Sequence, residues 1–162
     1  MPKGINSYIM AKTPSKTKPV QELESESESE FMVREPYAVW ELTTAAHRIA
    51  YGLPSAVLES IRDELELTLE ELSTLVAIPV RTLARRKKER VLAADESERA
   101  YRIGRLIDIA TGVLGDLEEA RTWVKEPNFA LGGETPLSYM NTEPGARLVE
   151  RQLFQIAHGI TV

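Results

Sequence analysis

The strongest constraint on the fold is a pair of short helical patterns on either side of a proline, within residues 68–90. Thr68 and Glu71 form a capping box, in which each side chain satisfies a free backbone N–H at the start of the first helix. Apolar residues then recur at helical spacing and give this helix one face to bury: Leu69, Leu72, Leu75 and Val76. Pro79 interrupts the first helix but suits the first turn of a second one, which we expect to begin at Pro79 or Val80. The pattern predicts a helix-turn-helix.

The second helix of this pair carries a concentrated positive charge. Residues 79–90 contain six Lys or Arg and one Glu, whereas the whole chain has a net charge of −5. Arg81, Arg85 and Lys88 follow one side of the helix, with Thr82 and Arg86 beside them. Arginines in this arrangement can contact phosphates and guanine edges in a major groove. We interpret these five residues as a DNA-binding surface, the alternative being a solvated basic face.

The rest of the chain also shows helical periodicity and no alternation with period two. Helices are expected over residues 37–51, from 54 and over 96–113, then from 117, from 136 and over 144–157. In the first of these the expected inward residues are Val39, Leu42, Ala46, Ile49 and Ala50. Gly104, inside a helix, suggests a close helix approach, and the carboxylates are expected to be solvated. The fold class is all-α.

Three regions follow from composition. Residues 1–35 form an acidic, Ser-rich segment that includes the run ESESESE, and this composition predicts a flexible, disordered arm. Residues 36–94 hold the helix-turn-helix and its supporting helices, and residues 95–162 a second helical region. Tyr8, Ile9 and Met10 are the apolar residues of the arm that could dock on a partner.

Several classes of function are disfavoured. The chain has no cysteine, and its two histidines, His47 and His158, lie in different regions. There is no metal-ligand spacing and no phosphate-binding Gly-rich loop. We therefore expect neither an enzyme nor a protein with a metal or cofactor. No apolar run is long enough to span a membrane, and the N-terminus lacks the apolar core of a signal peptide, so a cytoplasmic protein is expected.

The C-terminal region carries the most specific sequence pattern. Its motifs are WVKEPNFALGG at 123–133, Pro136-Leu137, Thr142-Glu143-Pro144-Gly145-Ala146, and LFQIAHG at 153–159. With Gly52-Leu53-Pro54 and Arg81-Thr82-Leu83 upstream, they resemble the Xre/MbcA/ParS antitoxins over residues 37–162. The resemblance implies a helix-turn-helix followed by a small helical toxin-binding domain. Ser73 and Ala77 depart from the family pattern, which has Ala in the first helix and Gly in the turn.

The resemblance also implies a function. Members of this family neutralise a RES-type toxin, which consumes NAD⁺ or transfers ADP-ribose from it, by covering the active site of the toxin. A type II antitoxin of this kind also binds operator DNA to regulate its own operon, as a homodimer or higher oligomer. The residues that the resemblance and the apolar tail assign to toxin binding are Asn128, Gly132, Gly133, Thr142, His158, Gly159, Ile160, Thr161 and Val162.

Two alternatives remain at this stage. The chain could be a stand-alone regulator whose C-terminal region only dimerises. It could also be a small enzyme that uses surface carboxylates and His158. A toxin gene next to this one would favour the antitoxin, and loss of turnover on substitution of His158 would favour the enzyme.

Overall fold

The computed structural model describes Tyr37 and residues 40–160, and this part of the chain is built from helices. They are α1 (Leu42–Tyr51), α2 (Ala56–Glu64), α3 (Leu69–Val76), α4 (Val80–Glu89), α5 (Ala94–Leu114), α6 (Leu117–Lys125), α7 (Pro136–Tyr139) and α8 (Glu143–Ala157), with a 3₁₀ turn at Phe129–Leu131. The β pairing within the described residues is an isolated bridge between Pro54 and Val91. The predicted all-α class is confirmed. Residues 1–35, the predicted arm, lie outside the described residues.

The 21-residue helix α5 is the centre of the fold. Helices α1, α2, α3, α6 and α8 all pack against it. Its inward residues are small or aliphatic and are buried: Ala100, Ile103, Leu106, Ile107 and Ala110. They join residues of both predicted regions in one continuous apolar core, from Leu53 to Leu153. A single core of this kind makes the two regions support each other.

Polar contacts also connect the two regions. The guanidinium of Arg121, on α6, donates from Nε to the carbonyl oxygen of Glu64 at 2.7 Å and from a terminal nitrogen to the Glu66 carboxylate at 2.6 Å. Within the second region, Arg105 on α5 pairs with Glu150 on α8 at 2.7 Å. The division between residues 94 and 95 stays a prediction, and α5, which begins at that point, contributes to the core on both sides.

The inward face predicted for α1 is wrong at three of its residues, whereas Ile49 is half-buried and Val39 lies outside the described residues. Ala45 is the buried residue of this helix, whereas Leu42 is 83% exposed and Ala46 and Ala50 are also exposed. Just before α1, Trp40 is also buried and stacks on Tyr101 of α5 with ring centroids 5.7 Å apart. The buried residues at this position are thus the small Ala45 and the ring of Trp40, and not the predicted aliphatic residues of α1.

Gly104 makes the close approach that its position in α5 suggests, but to an aromatic ring and not to a helix. The ring of Tyr37 occupies the place where a Cβ atom on Gly104 would lie. The backbone N–H of Tyr37 donates to Asp108 Oδ2 at 2.5 Å. Tyr37 is therefore fixed to the middle of α5, where it contacts Gly104 and, one helical turn later, Asp108.

No helix among the described residues is long and apolar enough to cross a membrane.

Candidate functional site

The start of the helix-turn-helix has the geometry that its sequence predicts. The Thr68 backbone N–H donates to Glu71 Oε2 at 2.7 Å, and the Glu71 N–H donates to Thr68 Oγ1 at 3.2 Å. The hydrogen bond from the Thr68 backbone lowers the pKa of the Glu71 carboxyl below its usual value. The capping box thus keeps Glu71 ionised at the N-terminus of α3, where the helix dipole favours a negative charge.

The turn between α3 and α4 explains both departures from the family pattern. Ala77 ends α3 in the left-handed region, with φ 51° and ψ 45°, a conformation that favours glycine. The Ser73 hydroxyl donates to the carbonyl oxygen of Ile78 at 2.7 Å, and the N–H of Ile78 donates back to the Ser73 carbonyl oxygen at 3.1 Å. Ile78 itself is buried. Ser73 therefore fixes a turn that Ala77 makes less favourable than glycine would.

Helix α4 presents a basic surface to solvent. Arg81, Arg85 and Lys88 are exposed, and Thr82 is half-buried beside them. Arg85 is 59% exposed and makes only a long ion pair, at 3.6 Å, with Glu89. Such an exposed pair is weak and is easily exchanged for a phosphate contact. These four predicted residues share one accessible side of α4.

Arg86, the fifth predicted DNA-binding residue, points elsewhere. Its guanidinium donates from Nε and a terminal nitrogen to the two carboxylate oxygens of Glu96, at 2.6 and 3.1 Å, and to Glu89 at 2.6 Å. The Arg86 side chain is 18% exposed and that of Glu96 is 7% exposed. This bidentate pair joins α4 to the first turn of α5, so Arg86 holds the basic helix in place.

Glu96 contradicts the expectation that carboxylates of this chain are solvated. Its Oε2 also accepts the N–H of Ala93 at 2.8 Å and so caps α5. Asp95 and Glu98 have the Asp-x-x-Glu spacing of a helix start, which predicts Asp95 as the N-cap, but the N-cap is Ala93, with extended φ and ψ, two residues earlier. The signal that could have revealed this role is the spacing from Ala93 to Glu96, where Glu reaches back to the residue before the helix.

The loop at 128–133 is rigidly hydrogen-bonded and presents an aromatic side chain. Asn128 accepts from Ala130 N–H at its Oδ1, at 2.9 Å, and its own N–H donates to the Glu134 carbonyl at 2.9 Å. Gly132 and Gly133 have φ of 72° and 86°, which only glycine adopts readily. The loop leaves Phe129 98% exposed. Asn128, Gly132 and Gly133 thus build the loop, and the sequence prediction missed Phe129, the residue that the loop displays.

Helix α8 carries a second exposed apolar surface at its C-terminal end. Phe154 is 57% exposed, Ile156 37% and Ile160 52%. Ile156 continues the helical spacing of Val149 and Leu153, which predicts that it is buried with them, but the structure leaves it exposed. His158 stacks on Phe154 with ring centroids 4.0 Å apart, and its Nδ1 lies 2.8 Å from the Phe154 carbonyl oxygen. We call Phe154, Ile156, His158 and Ile160 the α8 apolar surface.

The segment after α8 turns back on the helix. Gly159 has φ of 63°, and the Ile160 N–H donates to the Gln155 carbonyl at 2.9 Å. This left-handed cap brings the backbone of Ile160 back to the last turn of α8. Thr161 and Val162, also predicted to bind toxin, lie outside the described residues.

Thr142 occupies a different place from the other predicted toxin-binding residues. Its Oγ1 accepts the Gly145 N–H at 3.2 Å and caps the N-terminus of α8. His158 follows the C-terminus of the same helix, about 24 Å away at 1.5 Å per residue. The structure therefore does not bring Thr142 and His158 to one point.

A third feature is a set of acidic groups near Tyr37. Burial, together with the negative charge of Asp108 and then Asp63, raises the pKa of Glu64 to about 7. Burial is also the main cause that raises the pKa of the Tyr37 hydroxyl. Glu64 is thus a group whose charge changes near neutral pH. No group of His, Asp or Glu within the described residues could hold a metal ion.

Comparison with known proteins identifies two domains. Residues 44–105 match the model of the antitoxin Xre-like helix-turn-helix domain, and residues 110–159 match that of the antitoxin Xre/MbcA/ParS C-terminal toxin-binding domain. The two matches meet within α5. They contain the basic helix α4 and the exposed surfaces of the loop and α8, respectively.

Three known proteins are similar to this chain in sequence. The chain is 33% identical over 113 residues to the antitoxin Xre of Pseudomonas putida, which covers 69% of this chain and 70% of that protein. It is 33% identical over 111 residues to the antitoxin Xre of Photorhabdus laumondii, covering 67% and 75%. It is 32% identical over 120 residues to that of Yersinia enterocolitica, covering 73% and 81%.

A solved structure is also similar. It is a chain of the M. tuberculosis MbcT–MbcA toxin–antitoxin complex, with a TM-score of 0.49 and 19% sequence identity, covering 67% of this chain and 96% of that chain.

Proposed function

The chain belongs to the Xre family of antitoxins, and from this premise we propose that it neutralises a cognate RES-type toxin by covering the active site at which the toxin uses NAD⁺. We propose further that it binds operator DNA through α4 and represses its own operon from the cytoplasm. Both roles are binding functions, and neither requires catalysis by this chain.

The observation that carries the toxin-binding proposal is the α8 apolar surface. Three large apolar side chains and a stacked imidazole lie exposed at one end of α8, and all of them except Ile160 lie within residues 110–159, which match the toxin-binding domain model. Exposed apolar residues that cluster in this way are typical of protein interfaces. Burial of each Phe or Ile side chain in a toxin cleft contributes about 1.5–3 kcal/mol, which is enough for a few residues to dominate affinity.

The position of this surface also suits a steric mechanism. The chain turns back at Gly159 after α8, and the side chain of Ile160 is 52% exposed and therefore accessible to a partner. A protruding apolar tip can enter a cleft while the core of the antitoxin stays unchanged. Phe129, displayed by its own rigid loop, is a second aromatic anchor that we assign to the same partner.

Deletion of residues 158–162 tests the toxin-binding proposal. We expect the truncated chain to fold, because the core residues of α8 end at Leu153, and to lose neutralisation of the toxin encoded by the neighbouring reading frame. The measurement is growth of cells that express this toxin with either form of the antitoxin. Equal growth with both forms, together with co-elution of the truncated chain and the toxin, would transfer the inhibitory role to the loop at 128–133.

The DNA-binding proposal rests on the exposed side of α4. Arg81, Arg85 and Lys88 are accessible there, and Arg86 positions the helix through Glu96. This footprint is small in a chain with net charge −5, so a monomer neutralises few phosphates. We therefore propose that binding requires two or more copies on a repeated operator.

The double substitution Arg81→Ala and Arg85→Ala should weaken operator binding by several kcal/mol, at about 1–3 kcal/mol for each good base contact. Toxin neutralisation should not change. Arg147→Ala with Arg151→Ala, at two exposed arginines of α8, is the matched control for loss of two positive charges. If the Arg81→Ala and Arg85→Ala double variant bound operator DNA as tightly as the control in a band-shift titration, α4 would not be part of the DNA interface.

A further inference from the structure

The basic side of α4 carries more positive charges than the nearby carboxylates neutralise. Arg85 and Lys87 pair with Glu89 and Glu59. Within the described residues, Arg81, Lys88 and Arg90 are exposed and form no ion pair. The field of the whole chain is nevertheless negative. An acidic segment elsewhere in the chain is thus the natural counterpart of this surface.

Residues 22–30, which lie outside the described residues, have the matching chemistry. Glutamates occupy every second position of this run: Glu22, Glu24, Glu26, Glu28 and Glu30. In an extended segment such residues lie on one side at intervals of about 6.6 Å. Along α4, the positions 81, 85 and 88 are about 6 and 4.5 Å apart at the helical rise. The two charge spacings are similar.

The point where the chain enters the described structure permits this contact. Tyr37 is fixed at Gly104 and Asp108 of α5, and Glu96 of the same helix touches Arg86 of α4. Gly104 and Glu96 are about 12 Å apart along α5. The six residues between Glu30 and Tyr37 span up to about 23 Å. The acidic run can therefore reach α4 within one molecule.

We propose that residues 22–30 bind the exposed cations of α4 in the same molecule and compete there with DNA phosphate. The competition with DNA rests on the proposed DNA-binding role of α4. The contact between residues 22–30 and α4 does not depend on that role. Each exposed ion pair is weak. A short tether, however, gives the segment an effective concentration of order millimolar, so several weak pairs together occupy the surface. Non-specific DNA is then disfavoured more than an operator that adds base contacts.

The contact is tested first without DNA. The chain has no cysteine, so Ser27→Cys carries a single nitroxide label, and amide NMR signals report which residues it approaches. We expect stronger broadening of signals from α4 than from α8 at low ionic strength. The broadening at α4 should disappear at about 1 M salt, where the screening length falls to about 3 Å, and when all five glutamates of the run are changed to glutamine. Equal broadening in α4 and α8, or broadening that survives the glutamine changes, would overturn the contact.

Competition is tested by titrating a random-sequence DNA duplex. The five glutamine substitutions in residues 22–30 should tighten binding about tenfold at low salt. The matched control changes five exposed glutamates elsewhere by the same net charge: Glu41, Glu118, Glu119, Glu126 and Glu134. Equal tightening in both sets would show a net-charge effect and overturn the competition. If no form bound DNA while the label still broadened α4, the contact would stand and the DNA-binding role would fail.

Discussion

The most informative single substitution is Arg86→Ala, because sequence and structure assign different roles to this residue. As a DNA contact, Arg86 could be removed without loss of stability. In the structure it donates two hydrogen bonds to Glu96, whose side chain is 7% exposed and which also caps α5. Removal of Arg86 would leave the carboxylate of Glu96 buried with the Ala93 N–H as its remaining partner.

The magnitude follows from this burial. A buried carboxylate that loses its ionic partner costs about 3–5 kcal/mol. For the ordered part of this chain such a loss lowers the midpoint of thermal unfolding by roughly 10–15 °C. Arg85→Ala, one residue earlier at a 59% exposed position, should change the free energy of unfolding by no more than about 0.5 kcal/mol. The two variants remove the same charge from the same helix.

Urea unfolding followed by circular dichroism measures both variants, with a band-shift titration on the folded proteins. Arg86→Lys should recover only part of the stability, since lysine keeps the charge but cannot make the bidentate contact. The positioning role would be refuted if Arg86→Ala were as stable as Arg85→Ala but lost DNA binding as Arg81→Ala does. Arg86 would then belong to the DNA interface.

Three further predictions concern stability and use thermal or urea unfolding. The pKa of Glu64 is about 7 in the folded chain and 4.5 for an unperturbed glutamate, so stability present below pH 4.5 should be lost as the pH rises from there through 7, and Glu64→Gln should remove this dependence. A slope that persists in this variant would contradict the assignment. Gly104→Ala should destabilise the chain by about 1–3 kcal/mol, because the added Cβ meets the Tyr37 ring. Gly112→Ala, in the same helix but with open space around it, should stabilise the chain by up to about 1 kcal/mol. Equal effects of the two substitutions would exclude the ring contact. Ala77→Gly should stabilise by about 1 kcal/mol by relieving a left-handed conformation, and an unchanged midpoint would mean that the turn stores no such strain.

Local sequence signals predicted the elements of this fold well. The capping box at Thr68 and the proline after Ile78 gave the position of the helix-turn-helix, because both act within one or two helical turns. The helical spacing of Val57, Leu58 and Ile61 predicts the inward face of α2, and these three residues are buried. The same reasoning is wrong for Leu42 of α1, which is exposed, while Trp40 just before this helix is buried against Tyr101 of α5, a contact without a short-range signal.

The candidate sites were less predictable from sequence. A helical wheel places Arg86 among the other cations of α4, and its pairing with Glu96 depends on how α4 meets α5. The display of Phe129 likewise depends on the closed loop behind it. Such tertiary contacts have no short-range signal, whereas the glycines of that loop indicate its backbone conformation directly.

The central claim is that the α8 apolar surface binds the toxin. Its most direct test is titration calorimetry with the purified RES-type toxin from the neighbouring reading frame. The affinity of the toxin is measured for a double variant of this chain, Phe154→Ser with Ile160→Ser. The matched control is Leu42→Ser with Tyr51→Ser, two apolar residues of α1 that are 83% and 86% exposed. Loss of about 3–6 kcal/mol from burial of two large side chains is expected for the α8 pair, with no change for the α1 pair. Full affinity of the α8 pair for the toxin would contradict the claim.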